Sequence, residues 1–297
     1  MTAEIICVGE VLWDSLPAGL FPGGAPFNVA IHLHQVGREA AMVSRVGDDV
    51  LGEEVMRRLR ERGLSAEFIQ VDPQRPTGLV QVTTDESGEP SYDIREPAAW
   101  DAIEMEPALE KRAAEADAMV FGSLAQRNST SRRTIRGLLD RGAPGVFDVN
   151  LRPPYDDRDV VEASLQKTRI VKMNEEELER LSGWFELGGG HEAAMRALSG
   201  EFDCPTVCVT RGERGAVLLH EDRLVEHGGY RVETEDAVGA GDAFLAGLLD
   251  RLLSRDASAA DALDHACLLG AYVAGCSGAT PAIDESVLDD IRARSPE

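Results

Sequence analysis

The chain has 297 residues, of which 53 are acidic and 30 are basic, so its formal net charge at pH 7 is −23. Such an excess of negative charge opposes approach to phosphate backbones and anionic lipid, which excludes nucleic acid and membrane as the main partners. Only three of the basic residues are lysine. This acid-rich composition also fits a salt-adapted surface, a hypothesis that unfolding measurements in dilute buffer and in molar KCl can test.

The five cysteines lie in apolar runs, which favours reduced thiols in the core over a disulfide framework. No apolar run reaches the ~20 residues of a membrane span, and the first apolar run is too short for the core of a signal peptide. We therefore expect a soluble cytoplasmic protein, long enough to bury a substantial core.

Apolar runs of strand length alternate with amphipathic stretches of helix length, which predicts an α/β fold with a mainly parallel sheet covered on both faces. The predicted strands are residues 5–8, 41–46, 118–121, 145–149, 169–172, 206–210 and 216–220. The predicted helices are residues 27–36, 51–62, 107–114, 131–141, 159–166, 175–182 and 191–199. The chain from residue 240 onward is predicted to be nearly all helical. No linker or internal repeat divides it.

One segment interrupts this alternation. Residues 77–84 and 90–95 flank the polar stretch 85–88, and they are predicted to pair as an antiparallel hairpin. A hairpin inserted into an α/β chain is either a lid or an ordinary edge hairpin, and the pattern leaves both interpretations open.

The nine residues 236–244, DAVGAGDAF, place an acid inside a predicted anion-binding helix start. Gly239, Ala240 and Gly241 carry almost no side chain, so their N–H groups can approach a charged ligand closely. A carboxylate beside a phosphate is repulsive unless it has a task such as accepting a proton. Asp242 therefore indicates phosphoryl transfer to a hydroxyl group.

A second group of polar residues lies near the N-terminus. Gly23 and Gly24 precede the helix that carries Asn28, and Asp14 follows the first strand. Asn28 offers both a donor and an acceptor to vicinal hydroxyls, and Asp14 adds an acceptor outside the carboxyl end of a strand, where ligands of open α/β sheets bind. Each residue also has a plainer interpretation, as a turn aspartate, a tight bend or a polar group at a helix start.

Two more strand ends carry polar residues with two interpretations each. Asn174 is predicted to cap a helix N-terminus, while Asn174 and Glu177, one turn apart, can also hold Mg²⁺ waters. Arg152 closes the sequence DVNLR, where it neutralises a phosphate or substrate charge or forms an exposed salt bridge.

Residues 210–215, TRGERG, follow another strand. Thr210 and the two glycines Gly212 and Gly215 suit either a nucleotide-phosphate turn or a plain hairpin. A P-loop motif and an HExxH motif are absent from the sequence, and the glycines of residues 239–241 lack the spacing of the dinucleotide fingerprint. Hydride transfer and a histidine-built metal site are therefore disfavoured.

Together these residues resemble the ribokinase-like (phosphofructokinase-B) family of carbohydrate kinases. The matches to its N-terminal signature are Gly24, Asn28, Ala30, Gly37 and Gly47. Its C-terminal D-T-x-G-A-G-D signature is matched by residues 236–242, with Ala237 in place of the threonine. The resemblance extends from about residue 5 to about residue 283. The sequences GEVLWD, GGAPFN, GSLAQR and DVNLR make the chain most similar to bacterial fructokinases.

The resemblance implies a three-layer αβα sandwich in which residues 1–297 form a single kinase domain, with a small β lid formed by about residues 11–22 and 75–97. It implies an ATP-dependent kinase that transfers the γ-phosphoryl group to a sugar hydroxymethyl group, with fructose as the first expectation. A kinase for another polyol or a nucleoside and a non-catalytic sugar-sensing relative remain alternatives. A nucleoside base needs an aromatic surface, for which the candidates are Trp13, Trp100, Phe27 and Tyr92.

The resemblance also implies roles for individual residues. Asp242 is the general base, and the anion hole is formed by Gly239, Ala240 and Gly241. The sugar-binding residues are Asp14, Gly23, Gly24, Asn28, Arg95, Gln126 and Arg152. The nucleotide-binding residues are Asn174, Glu177, Thr210, Gly212 and Gly215.

The implied cofactors are ATP and Mg²⁺, the metal being held through water by Glu177. A monovalent cation site is implied at Asp236, Val238 and the loop of residues 278–281, but the alanine at position 237 leaves activation by K⁺ open. Sugar and ATP are the expected partners, and a homodimer formed through the lid is also left open.

Overall fold

The structure is a computed structural model that describes residues 4–16, 19–84, 90–254 and 256–294, without the side chains of residues 82–84 and 90–92. The predicted hairpin turn at 85–88 and the Tyr92 side chain lie outside the described part. Within it, the strands are β1 Glu4–Val8, β2 Leu12–Leu16, β3 Gly19–Gly23, β4 Glu39–Gly47, β5 Ile69–Asp72, β6 Gly78–Thr84, β7 Pro90–Ile94, β8 Ala118–Gly122, β9 Gly145–Asp148, β10 Thr168–Asn174, β11 Thr206–Thr210, β12 Ala216–His220 and β13 Arg223–His227.

The α-helices agree closely with the sequence pattern. They are α1 Ala25–Gln35, α2 Val50–Glu61, α3 Pro107–Glu115, α4 Ser129–Leu139, α5 Arg158–Leu165, α6 Glu175–Phe185, α7 Gly190–Glu201, α8 Ala240–Leu252, α9 Ala259–Ala274 and α10 Glu285–Arg294. Every predicted strand and helix is present, and the largest difference is that α6 ends at Phe185 and not at residue 182. None of the described helices is long and apolar enough to cross a membrane.

In the described residues, nine strands form one sheet in the order β13-β12-β11-β10-β9-β8-β1-β4-β5. From β11 to β5 all neighbours are parallel, whereas β12 and β13 add an antiparallel edge. Successive side chains of a strand point to opposite faces. Ile6 and Val8 accordingly belong to the core that includes side chains of α3 to α7, and Ile5 and Cys7 belong to the core that includes side chains of α1, α2 and α8. This arrangement confirms the predicted three layers.

A second sheet has the order β3-β2-β6-β7, and its antiparallel β6–β7 pair confirms the predicted hairpin. Leu12, Val80 and Ile94 of this small sheet are buried in the core on one face of the large sheet. The sequence pattern had missed β2, β3, β5 and β13. β3 carries a glycine at each end and a proline between them, a composition that indicates a turn unless a partner strand is known.

The parallel strands bring several distant residues to one edge of the large sheet. Lys172 of β10 lies beside Asp148 of β9, and Asn174 lies beside Thr210 of β11. Helix α1 packs against α8 across the end of this edge. The fold thus collects the polar strand ends and the start of α8 in one place.

Candidate active site

Helix α8 begins at the predicted anion-binding motif. Its N-cap is Gly239, with φ at 79°, and a Cβ there would collide with the backbone of Ala279, so only glycine fits. The N–H of Ala240 donates to Ala237 O at 3.3 Å, and that of Asp242 donates to Gly239 O at 3.1 Å. Among the described hydrogen bonds none engages the N–H of Gly241. An unpaired N–H at a helix N-terminus favours an anion.

Asp242 is the third residue of α8, and its side chain accepts a hydrogen bond from a residue that is distant in the sequence. Asn28 Nδ2 donates to Asp242 Oδ2 at 2.8 Å, although the two residues are 214 positions apart. Burial raises the pKa of Asp242 to about 7, and the nearby carboxylate of Asp148 adds to this rise, while Lys172 opposes it. A carboxylate with this pKa is suited to accept a proton at neutral pH.

The sequence pattern assigned no role to Lys172 or Asp148, yet both lie within the site. Lys172 Nζ is 3.1 Å from Asp148 Oδ1 and 3.2 Å from Oδ2, and both side chains are nearly fully buried. Burial disfavours the ammonium, but the surrounding carboxylates outweigh it and raise the pKa of Lys172. Its Nζ is also 3.1 Å from the position that a Cβ would take at Gly241. A permanent cation therefore lies beside the free N–H at the helix start.

Asp14 lies on β2 of the small sheet opposite Phe21 of β3, and its carboxylate approaches Gly23, where any Cβ would crowd it. Burial raises the pKa of Asp14 to about 6, against the attraction of Arg152. Arg152 also attracts the carboxylate of Asp242, and its own described hydrogen bond goes only to the adjacent Leu151 O. The predicted sugar-binding residues Asp14, Gly23, Asn28 and Arg152 are thus brought together around Asp242.

Glu10 is a further carboxylate in this region that the sequence pattern missed. Its Oε1 accepts from the N–H of Ala25 at 3.3 Å, and its Oε2 is buried without a partner among the described residues. Burial raises the pKa of Glu10 to about 7, with Arg152 opposing and Asp242 adding to the rise. Gly24 packs directly against the Glu10 carbonyl, which explains the glycine. The position of Glu10, two residues after the end of β1, was the signal available in the sequence.

Asn174 and Glu177 form a capping box at the start of α6, as the capping interpretation predicted. Asn174 Oδ1 accepts from the N–H of Glu177 at 2.8 Å, and Glu177 Oε2 accepts from the N–H of Asn174 at 2.9 Å. Glu177 Oε1 accepts from the N–H of Leu151 at 2.8 Å. Burial and the neighbouring Asp148 raise the pKa of Glu177, against the attraction of Lys172. The metal role of Glu177 stays a prediction.

Thr210 is the last residue of β11, and Gly212 and Gly215 lie in the tight connection to the antiparallel strand β12. Both glycines have positive φ, 59° and 77°, so the turn requires them. Thr210 Oγ1 donates to Met173 O at 3.4 Å, and the register places Thr210 beside Asn174. The structure therefore confirms the hairpin interpretation, and the nucleotide role of these residues stays a prediction.

Two predicted sugar residues have other described partners. Arg95 Nη2 donates to Gln81 Oε1 at 2.7 Å on the exposed face of the small sheet. Gln126 is buried, and its Nε2 donates to Gly122 O at 3.0 Å and to Ser164 Oγ at 2.9 Å. The described hydrogen bonds of these two residues do not join them to the group around Asp242.

The predicted monovalent cation site lies at the turn before α8. Asp236 Oδ1 accepts from the N–H of Val238 at 3.0 Å, and Val238 is exposed. Among the described residues no group of three or more His, Cys, Asp and Glu side chains could hold a metal ion. The monovalent cation role of Asp236 and Val238 stays a prediction.

A parallel α/β sheet whose carboxyl edge presents an anion-binding helix start, an acid of raised pKa and a buried lysine defines a phosphotransferase that acts on a hydroxyl group. The chain belongs to the pfkB family of carbohydrate kinases, whose family model matches residues 18–286.

Individual relatives agree with this family. A fructokinase from Rhizobium leguminosarum bv. trifolii is 31% identical over 84% of this chain and 79% of its own length. A 2-dehydro-3-deoxygalactonokinase from Haloferax volcanii is 29% identical over 100% of this chain and 95% of its own length. The structure of a Vibrio cholerae O395 fructokinase with bound fructose, ADP and calcium ion has 25% identity and a TM-score of 0.83, covering 98% of this chain and 99% of that one. The fold is therefore ribokinase-like, and the protein is a carbohydrate kinase with an alcohol group as acceptor.

Proposed function

We propose that this protein is an ATP-dependent sugar kinase with fructokinase-like specificity, and that Asp242 is its general base. The observation that carries the proposal is the placement of Asp242 on the first turn of α8, where Asn28 holds its carboxylate and Lys172 lies beside the adjacent Gly241. A proton acceptor and an anion cradle then share one helix start.

The reaction assigns a task to each of these groups. Asp242 accepts the proton of the sugar hydroxymethyl group as its oxygen bonds to the γ-phosphorus of ATP and the bond from that phosphorus to the ADP oxygen breaks. The Gly241 N–H and the Lys172 ammonium stabilise the charge on the transferring group. Phosphoryl transfer needs little covalent chemistry from the protein, so positioning and charge dominate its catalysis.

We propose that the chain is one kinase domain whose small sheet is a lid over the sugar site. Support comes from β2, because Asp14 of the small sheet shares Arg152 with the carboxylates of Glu10 and Asp242. The lid thus contributes a carboxylate that can accept a hydrogen bond from a sugar hydroxyl group. The free Asn28 Oδ1 and Glu10 Oε2, both buried and unpaired among the described residues, supply two more acceptors.

The carboxylate of Glu177 is the proposed protein group for Mg²⁺, but both of its oxygens already accept hydrogen bonds. Glu177 already accepts two backbone N–H groups, so we propose that it holds the metal through water, as Mg²⁺ bound to nucleotide phosphates often is. When bound, Mg²⁺ neutralises phosphate charge. We propose that Thr210 and the 211–215 turn lie beside the nucleotide, because Thr210 neighbours Asn174 at the same sheet edge.

A neutral sugar is the proposed substrate, because Arg152 is attracted by the three carboxylates of Glu10, Asp14 and Asp242, and Lys172 is paired with Asp148. Three of the four candidate stacking residues for a nucleoside base, Trp13, Trp100 and Phe27, are buried in the core, and the side chain of the fourth, Tyr92, lies outside the described part. A nucleoside is therefore kept as an alternative substrate. An acidic sugar remains the second candidate, since the Haloferax volcanii relative is a 2-dehydro-3-deoxygalactonokinase. A non-catalytic sensor would not need a proton acceptor at the anion site.

We also propose a homodimer formed through the small sheet. Its edge strand β3 exposes Leu20 and Phe21, at 46% and 38% of their surface. An exposed apolar edge strand favours association with a second strand.

The test is a coupled ADP-release assay with fructose, ribose, 2-keto-3-deoxygluconate, myo-inositol and adenosine. We expect fructose to give the highest kcat/KM. In Asp242→Asn, kcat should fall by roughly 10²–10⁴-fold while sugar affinity changes little, which is the usual contribution of a general base. Near-wild-type turnover of this variant contradicts the assignment of Asp242 as general base. A higher kcat/KM for 2-keto-3-deoxygluconate than for fructose contradicts the proposed fructose specificity.

A further inference from the structure

Three polar side chains form one stripe along α1 that faces the C-terminal part of the chain. Asn28 binds Asp242, His32 Nε2 lies 3.0 Å from Ala279 O, and Gln35 Oε1 accepts from the N–H of Ile283 at 2.8 Å. Their spacing of four and three residues places them on one helix face. The family signature explains Asn28 but assigns nothing to His32 or Gln35.

The segment held by His32 is the 278–281 loop, which packs against the start of α8. The Cα and carbonyl of Ala279 fill the space where a side chain at Gly239 would lie. The loop has a second support, because Arg62 Nη1 at the end of α2 donates to Thr280 O at 2.9 Å. Since Gly239 is the N-cap of α8, a displacement of Ala279 would shift the helix turn that carries Asp242.

The His32 side chain is poorly explained by packing alone. It is fully buried, and its Nδ1 has no partner among the described residues, an arrangement that an apolar side chain of similar size would avoid. Burial lowers the pKa of His32 to about 4, so the ring is neutral near pH 7. A carbonyl oxygen only accepts, so the single ring proton lies on Nε2 and is donated to Ala279 O.

We propose that His32 is a positioning residue for phosphoryl transfer, which fixes the 278–281 loop against Gly239 and thereby sets the position of the α8 N-terminus and of Asp242. This inference rests on the proposed function of that helix start. Asn28 and His32 lie on the same helix, α1. Asn28 positions the carboxylate of Asp242, and His32 positions the loop backbone that packs against Gly239.

The test compares His32→Leu, which removes the donor, with His32→Gln, which retains an N–H group. His32→Asn, polar but too short to reach Ala279 O, is a second loss variant. In His32→Leu and His32→Asn we expect kcat per folded molecule to fall about tenfold or more, because small misplacements of reacting groups are costly, while sugar KM stays within about twofold. His32→Gln should restore most of kcat. Amide hydrogen exchange should accelerate at residues 239–242 and 278–280 in the loss variants only.

The matched control is His265→Leu, which removes another buried histidine, on α9, that has no hydrogen bond to the 278–281 loop. It should leave kcat unchanged. The inference is overturned by unchanged kcat in both loss variants, by an equal loss in His265→Leu, or by failure of His32→Gln to restore kcat. Asp242→Asn is assayed in parallel. A near-wild-type kcat in Asp242→Asn refutes the proposed function. A large fall of kcat in Asp242→Asn together with wild-type kcat in the His32 variants refutes only the role of His32.

Discussion

At the scale of single residues, the charge of Asp242 is costly to the native state. Burial and Asp148 raise its pKa from 3.8 to about 7, so the folded protein favours the protonated form. The folded state then binds more protons than the unfolded state between about pH 4 and pH 7, and the free energy of unfolding falls as pH rises through that window. The ionised form that the proposed general base requires predominates only above it.

Asp242→Asn should therefore be more stable than the wild type at pH 8, on the order of 1–4 kcal/mol, since one pKa unit corresponds to about 1.4 kcal/mol. The difference should narrow as the pH falls toward 4, where the wild-type carboxyl group is protonated in the folded state and partly protonated in the unfolded state. Urea unfolding of both proteins at pH 4, 6 and 8 measures it. The exposed Asp256 provides the control, because Asp256→Asn should match the wild type at each pH; equal stability of Asp242→Asn and wild type at pH 8 would contradict the argument.

The same residues show how far the sequence predicts the site. Asp242, Gly239 and Gly241 were predicted because their chemistry is local, one helix start containing both small residues and an acid. Lys172 was missed, because a lysine at a strand end is uninformative until its neighbour strand is known. Asn28 was predicted as a sugar ligand, but its hydrogen bond to Asp242 follows only from the packing of α1 against α8.

At the scale of elements, α6 begins in a capping box that sits inside the candidate nucleotide region. The Asn174 and Glu177 side chains satisfy each other's backbone N–H, and Glu177 also holds the N–H of Leu151 after β9. Such caps contribute about 1 kcal/mol to stability. The proposed metal role predicts a second effect that belongs to Glu177 alone.

Asn174→Ala should lower the free energy of unfolding by about 1 kcal/mol, and Glu177→Ala should lower it further because two bonds are lost. Only Glu177→Ala should raise the Mg²⁺ concentration needed for half-maximal activity. Ser258→Ala, which breaks the distant capping box of α9, is the matched control and should leave the Mg²⁺ response unchanged. If the Glu177 variant needs no more Mg²⁺ than the control, the residue is a cap only.

At the scale of the whole molecule, the large sheet gathers the strand ends while the small sheet adds Asp14 from one side. The large sheet is covered by helices on both faces, but the small sheet leaves β3 as an exposed edge. Pairing of this edge with a second copy would bury Leu20 and Phe21 and would hold the lid over the site.

Sedimentation equilibrium should show a dimer at micromolar concentrations, and the double variant Leu20→Ser with Phe21→Ser should be shifted toward monomer, because it removes the apolar edge. Val71→Ser is the matched control, since Val71 is 51% exposed on β5, the edge of the large sheet. That control should remain dimeric. A monomeric wild type at ~100 µM would contradict the dimer, as micromolar association requires a free energy of about −8 kcal/mol.

The sequence by itself determined the α/β class, most of the helices and core strands in their order, and the anion-binding helix start with its acid, because apolar periodicity and backbone-permissive glycines act over a few neighbouring residues. Only the tertiary structure decided which distant groups meet: Asn28 with Asp242, Asp148 with Lys172, and His32 with Ala279. Periodicity specifies which face of an element is buried but not which element packs against it, and the pKa of each carboxyl group depends on that packing.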